Sequence, residues 1–415
     1  MDKETITRQL AAITQALEDV TKELKVYSSV VQDGTVGKNL EGLGRISESY
    51  EDLVASVRSL NRAARGPVDL LLSQVEHIAF IGAVRALLEM GIFDALPPDG
   101  SSLSADVLAE KLKVEKDLLI RLMRVATPEL FAEVGRHTYA HTPYSLIYLA
   151  PPLRSMFKFM LGAGAEYPTV FTQLSEFFKA EGWKSPNSAT NNPYTFAHHL
   201  SGMTMFDHAK ANPEYFSNFN MALSSQGIAI LFVVGIFPFR EELSKLEPKD
   251  DTVLVVDVGG GLGHATKQIK ELIGDLKGRV ILQDRPIVIE DIKEDLGEIE
   301  KMGHDFFTPN PVKGALTYYI RRCLHDWNDE TCIEILKNIA CSMTAESRLL
   351  IAECVLPEQR VNVDASWLDL IMMTFGGRER TEEQWRQIVD AAGLRLEKTY
   401  SMSGTHYGVV EAYLK

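Results

Sequence analysis

The segment Val253–His264, VLVVDVGGGLGH, constrains the chain more than any other. Four apolar residues run into Asp257, and glycines follow at 259, 260, 261 and 263. An apolar run without alternation marks a strand buried on both faces, as in a parallel sheet. A helix over Ala265–Ile273 is expected to follow. Glycine is required where the backbone takes a positive φ or lies close to a ligand. In open α/β sheets that place is the carboxyl end of a strand. The segment implies a nucleotide-like ligand site there, with Asp257, Gly259 and Gly261 as candidate contacts.

The spacing narrows the ligand. A dinucleotide turn needs glycine at its first, third and sixth positions. Counted from Gly259, the sixth residue is His264. No G-x-x-x-x-G-K-[ST] run occurs, which excludes a P-loop. The pattern Asp257-Val-Gly-Gly-Gly-x-Gly263 resembles the S-adenosylmethionine turn of class I methyltransferases. That ligand carries no phosphate, so the glycines mainly give close approach. The next apolar run, Arg279-Val-Ile-Leu-Gln-Asp284, also ends in an acid. An acid there suits two ribose hydroxyls.

From Asp251 onward the pattern alternates. Strands are expected near 253–258, 279–283, 316–320 and 348–353, with helices near 264–274, 286–295, 329–344 and 382–392. Strands near 395–400 and 407–414 close the chain as an antiparallel edge. The fold class is therefore α/β, a doubly wound Rossmann-like domain over 246–415. Residues 1–65 read as a helical arm in which Ile6, Leu10, Ile13, Leu17 and Val20 form one apolar stripe. Such a stripe must be covered by the rest of the chain or by a second copy. Asp33-Gly34 ends the first helix, and a second is expected over Leu40–Ala64, ended by Gly66-Pro67. Residues 68–150 read as a winged-helix-like unit: a helix over Val68–Met90, a helix-turn-helix pair, and a two-stranded wing around Gly135. Residues 151–245 read as a helical linker rich in methionine and aromatic residues, fit for core or for an adaptable apolar pocket.

The net charge of −14 disfavours nucleic acid and anionic membranes as partners. The second helix of the pair offers only Lys116, Arg121 and Arg124 as cations, so the winged unit is read as a packing or dimerisation element. Cys323, Cys332, Cys341 and Cys354 match no zinc spacing and are expected to be reduced structural thiols. The longest apolar run, Gly227–Phe239, is too short to span a bilayer, and a cytoplasmic location is the expectation.

Chemistry concentrates after the strand near 316–320. His325 stands at that strand's exit, before a helix whose expected N-cap is Asn328. Histidine is suited to general-base work there, its ordinary pKa lying near neutral pH. Glu353 ends the next strand in this reading, and an acid after four apolar residues rarely serves the core. Glu379 lies in the glycine loop Phe375–Thr381. Either carboxylate can hold an imidazole nitrogen and fix its tautomer.

The motifs Asp257-Val-Gly-Gly-Gly, Gln283-Asp-Arg-Pro, His304-Asp-Phe-Phe, Arg321-Arg-Cys-Leu-His-Asp-Trp, Ala352-Glu-Cys-Val-Leu-Pro and Gly376-Gly-Arg-Glu-Arg-Thr follow one another in this order. Together they resemble the plant and fungal small-molecule O-methyltransferases of the caffeic-acid and flavonoid type, in their fungal polyketide-modifying branch. The resemblance covers residues 68–415. It implies His325 as base, flanked by Glu353 and Glu379. It implies S-adenosylmethionine contacts from Gly259, Asp284, Asp305 and Phe306, with Arg321 near the methionine end and Asp326 behind the base. The family often has lysine at the position of Arg321. It further implies a homodimer built on the winged unit, to which residues 1–65 add an arm. No metal is expected. The substrate implied is an apolar aromatic or polyketide-type hydroxyl compound, for which Trp367–Phe375 suggests a roomy pocket. A second reading keeps the fold and the cofactor but uses the cofactor's charge for pericyclic ring formation or dehydration. The presence of His325, Glu353 and Glu379 together favours methyl transfer.

Overall fold

The computed structural model describes residues 3–33, 39–162, 166–224, 234–359 and 361–415. Gly34 and residues 227–233 of the apolar run lie outside them. The chain forms two compact units: Met1–Lys25 with Asp52–Thr169 and Phe206–Gln226, and Val26–Glu51 with Val170–Met205 and Gly227–Lys415.

The first unit is mostly helical. The helix Lys3–Gln32 buries little more than Ala16. The span Leu40–Met90 is helical on either side of Gly66-Pro67, as expected, and the two helices meet at a kink where Gly66 leaves the helical region at φ 68°. Part of this run is long and apolar enough to cross a membrane by length and composition, with 22% of that window buried. The expectation built on Gly227–Phe239 overlooked it, because its carboxylates interrupt any simple apolar count. The helix pair is Ala105–Leu112, capped by the Ser104 hydroxyl, and Lys116–Ala126. The wing strands Phe131–Gly135 and Thr138–His141 pair antiparallel. Leu87, Phe93, Leu108, Leu119, Met123 and Phe131 form the core beneath them. Lys116 is paired with Asp106 at 2.7 Å, so the helix pair presents even less free positive charge than the sequence suggests.

The second unit is an eight-stranded sheet. Its order is Leu394–Ser401, Tyr407–Leu414, Arg348–Leu356, Thr317–Arg321, Val253–Val258, Arg279–Asp284 and Glu300–Gly303, with Arg380–Thr381 beside Arg348–Leu356. The strands from Arg348 to Glu300 in this order run parallel, and the last two of the chain are antiparallel. Apolar clusters cover both faces, led by Val255, Leu350 and Ile269 on one and Val256, Ile320 and Ile351 on the other. Val253–Val258 has neighbours on both sides and is where the strand order reverses, the place where such sheets bind ligands.

Two elements depart from expectation. The strand Glu300–Gly303 has an alternating half-exposed pattern and no apolar run to announce it. Val363–Thr374 is a helix capped by Asn362, with Trp367 and Leu370 exposed.

Candidate active site

The glycine turn is pinned to the neighbouring strand. The Gly259 and Gly260 N–H groups donate to Gln283 O at 2.8 and 3.0 Å, and Gly261 N–H donates to Asp284 Oδ2 at 2.8 Å. Gly259 has φ 72°, and a Cβ there would lie 2.8 Å from Cys323 Sγ and 3.6 Å from the Phe306 ring. Above Gly261 the space is open. Asp284 also accepts from its neighbour's N–H, Arg285, at 2.7 Å. Burial raises its pKa, with these backbone donors opposing. Asp305 is exposed and accepts from Phe307 N–H at 3.1 Å. Gly259, Gly261, Asp284, Asp305 and Phe306 thus lie at the carboxyl ends of three adjacent strands. A flat, polar-rimmed ligand such as an adenosine fits a turn that excludes any side chain at Gly259 and keeps a carboxylate beside it. Arg321 ends the next strand and is half-buried.

Asp257 is placed differently from the sequence reading. Its carboxylate is buried behind the turn, where Oδ2 accepts from Thr266 Oγ1 at 2.5 Å. Burial pushes its pKa up to about 6. A Cβ on Gly260 would lie 2.6 Å from the same Oδ2, so the turn packs directly on the Asp257 carboxylate.

His325 sits in the 3-10 turn Leu324–Asp326 directly after the strand Thr317–Arg321 and is buried. The expected Asn328 cap follows, its Oδ1 accepting from Thr331 N–H at 2.9 Å. Two carboxylates reach the same ring nitrogen. His325 Nδ1 is 2.7 Å from Glu379 Oε1 and 3.7 Å from Glu353 Oε2. Asp326 Oδ1 lies 3.6 Å from Nε2. Glu353 is not at a strand end as the sequence reading had it. The strand runs on to Leu356, and Glu353 is fully buried within it. Its Oε1 accepts from Cys323 and Leu324 N–H at 3.0 and 2.9 Å, which fixes the His325 turn from below.

The loop carrying Glu379 grips that turn from the other side. Arg378 N–H donates to His325 O at 2.8 Å, and a Cβ on Gly377 would lie 2.2 Å from that oxygen. The buried Arg380 side chain donates to Leu324 O at 3.2 Å, Trp327 O at 2.7 Å and Asp329 Oδ1 at 2.9 Å. It lies over the Trp385 ring at 5.1 Å. No local pattern marked Arg380 or Gly377, and Cys323 was expected only as a structural thiol. Each acts through backbone atoms that only the folded chain brings near, and the one signal was membership of the motifs already quoted.

The electrostatics follow from burial among acids. Burial lowers the His325 pKa, but Glu353, Glu379 and Asp326 raise it more, and the balance is about 9. The ordinary value near neutrality assumed from the sequence is thus displaced upward. Burial raises Glu353, with His325 opposing. Burial also raises Asp326, to about 6, against His325 and Arg322. Ligand atoms of His325, Glu353 and Glu379 lie within 4.8 Å of one another, a spacing a metal ion could use. Nδ1 is already engaged by Glu379, so a metal on that nitrogen would have to displace this bond, while Glu353 Oε2 and Glu379 Oε2 are buried without a hydrogen-bond partner.

A switch-point glycine turn, an acid on the next strand and a buried histidine-carboxylate cluster define the class of S-adenosylmethionine-dependent methyltransferases. Comparison with known proteins gives the family. Residues 184–395 match the O-methyltransferase domain, and residues 72–151 the O-methyltransferase dimerisation domain. O-methyltransferase desB of Aspergillus desertorum is 40% identical over 99% of both chains. The crystal structure of OxaC in complex with S-adenosylhomocysteine and oxaline is similar at 33% identity, with TM-score 0.82, over 96% of this chain and all of that one. A solved pericyclic reaction enzyme is also similar, at 26% identity and TM-score 0.83, over 99% of this chain and 100% of that one. The chain belongs to the O-methyltransferase family. It is an enzyme that uses S-adenosylmethionine, and its dimerisation domain makes it a homodimer.

Proposed function

We propose that this enzyme methylates a hydroxyl of an apolar aromatic or polyketide-type secondary metabolite, with His325 as general base. The observation that carries this reading is the 2.7 Å contact of His325 Nδ1 with Glu379, deep beside the glycine turn. Glu379 holds Nδ1 as the donor, which leaves Nε2 to accept the proton of the substrate hydroxyl. Gly259, Gly261, Asp284, Asp305 and Phe306 would hold the cofactor, with Arg321 toward its methionine end and Asp326 supporting the base. When bound, S-adenosylmethionine supplies an electrophilic methyl on a positively charged sulfur. We also propose the domain boundaries given from the sequence, a metal-free reaction and a cytoplasmic location. The four free cysteines fit a reducing compartment.

The raised His325 pKa has a use. A phenol has a pKa of about 10, so transfer to an ordinary imidazole at about 6.5 runs uphill by roughly 3.5 units. With the ring at about 9 the gap narrows to about one unit. The same carboxylates stabilise imidazolium, so the neutral base becomes populated only as pH rises. Positive charge bound nearby opposes them and favours the neutral ring. We expect kcat/KM to climb with pH to a midpoint near 9, as that parameter reports the free enzyme. In Glu379→Gln the midpoint moves down toward the ordinary histidine value, and the plateau rate falls because the base is weaker. A midpoint unmoved by this substitution would separate Glu379 from the base.

The functional reading is tested by incubating the enzyme with S-adenosylmethionine, EDTA and a panel of aromatic and polyketide phenols, following product mass and free S-adenosylhomocysteine. A product heavier by one methyl with equal S-adenosylhomocysteine release is expected. An isomer of unchanged mass without that release would transfer the enzyme to the pericyclase reading, which its similarity to a solved pericyclic reaction enzyme keeps in view.

A further inference from the structure

The Glu379 carboxylate is lightly held for a group that orients a base. Its Oε1 meets His325 Nδ1, and its Oε2 is buried without a hydrogen-bond partner. Its place therefore depends on the backbone that carries it. That backbone is the loop between the helix Val363–Thr374 and the strand Arg380–Thr381. The amides of the loop find partners one after another. The Phe375 and Gly377 N–H groups donate to Met372 O at 3.2 and 2.9 Å, and Gly376 N–H donates to Met373 O at 3.2 Å. Arg378 N–H donates to His325 O at 2.8 Å. Glu379 N–H donates to a side chain, Asp369 Oδ1, at 2.9 Å. Two successive amides thus tie the loop to the base turn and to the preceding helix.

Asp369 is out of character with its surroundings. In Trp367-Leu-Asp-Leu-Ile-Met-Met373 it is the one charged residue. It stands inside a helix, where aspartate is a poor helix former. It is partly buried, and an acid taken from water costs free energy unless it is hydrogen-bonded. Burial raises its pKa, and the Glu379 amide opposes this. Of the charges around it, Glu379 raises it further, while Arg378 and Arg380 lower it. The bond it makes reaches ten residues along the chain, to the backbone of the residue that holds His325.

We propose that Asp369 is a positioning residue of the methyl-transfer site, whose carboxylate anchors the Glu379 amide and so sets where the Glu379 carboxylate meets His325. The proposal rests on the reading above in which Glu379 holds Nδ1. Asp369 touches neither substrate nor the reacting atoms in this role and acts through Glu379 alone.

The test compares the parent with Asp369→Ala, Asp369→Asn, Glu379→Gln and Asp369→Ala/Glu379→Gln. Two quantities are read: the pH midpoint of the His325 ring by ¹⁵N nuclear magnetic resonance in the ligand-free enzyme, and kcat with a phenol that the parent methylates. Thermal unfolding shows that each variant is folded. Asparagine loses the charge but keeps an oxygen acceptor, so its comparison with alanine isolates the bond. Asp369→Ala is expected to lower kcat about 10-fold, the worth of one hydrogen bond, with S-adenosylmethionine affinity kept. Its His325 midpoint moves down from near 9, by less than in Glu379→Gln. Asp369→Asn stays within about two-fold of the parent in kcat and keeps its midpoint. In the double variant the loss of Asp369 adds nothing to the loss of the Glu379 charge. A lower unfolding temperature in Asp369→Ala with midpoint and kcat unmoved would make the residue structural only and overturn the proposal. An asparagine variant as impaired as the alanine variant would assign the effect to charge and also overturn it. A midpoint unmoved in Glu379→Gln would overturn the reading of Glu379 and the anchor with it, whereas a midpoint moved there and unmoved in Asp369→Ala would overturn the anchor alone.

Discussion

His325→Ala lowers turnover by about 10²–10⁴-fold while leaving the dissociation constant for S-adenosylmethionine nearly unchanged. The size follows from what is removed. Without the imidazole no group in the cluster combines a pKa near that of a phenol with an open ring nitrogen. What remains is alignment of the two reactants, which survives because the glycine turn is held by Gln283 and Asp284 and not by the histidine. Isothermal titration for binding and product formation for turnover read the two halves of the prediction separately. Loss of cofactor binding in this variant would make His325 a structural residue of the turn. Unchanged turnover would remove the base from the mechanism.

Gly259→Val is expected to have the converse effect. The backbone there lies in the left-handed region at φ 72°, which valine tolerates poorly, and its Cβ would meet Cys323 Sγ at 2.8 Å. Strain of this kind costs about 1–3 kcal/mol. Borne by the binding geometry, that weakens cofactor affinity by about 10- to 100-fold, and the γ-methyls projecting toward Phe306 add to it. The His325 cluster stands on other strands and loops, so turnover at saturating cofactor falls much less than affinity does. Equal affinity in the variant and the parent would mean that the ligand does not lie against Gly259.

Much of this site was legible because its residues sit at element boundaries that local pattern reveals. The apolar run into Asp257 announced both a strand and the turn after it, and His325 stood between a strand and a capped helix. Glu379 was found through its glycine loop. The parts that were not legible depend on distance. The acid in Ala352-Glu-Cys looked like a strand end, yet Glu353 is interior, because the strand continues to Leu356 and pairs with the last strand of the chain. Asp257 was read as a ligand contact, and what no local pattern announced is that its Oδ2 accepts from Thr266, nine residues on in the first turn of the next helix. The strand Glu300–Gly303 is polar and half-exposed, so it has no hydrophobic signature. The upward shift of His325 could not be read from composition, since it arises from three acids brought together from separate segments.

The most direct measurement is a pH titration of the His325 ring nitrogens by ¹⁵N nuclear magnetic resonance, assigned by comparison with His325→Gln. The account predicts a midpoint near 9 in the ligand-free enzyme, falling toward the ordinary value in Glu353→Gln and Glu379→Gln. A midpoint at the ordinary histidine value in the parent enzyme would contradict it, and with it the claim that buried carboxylates make this imidazole a base strong enough for a phenol.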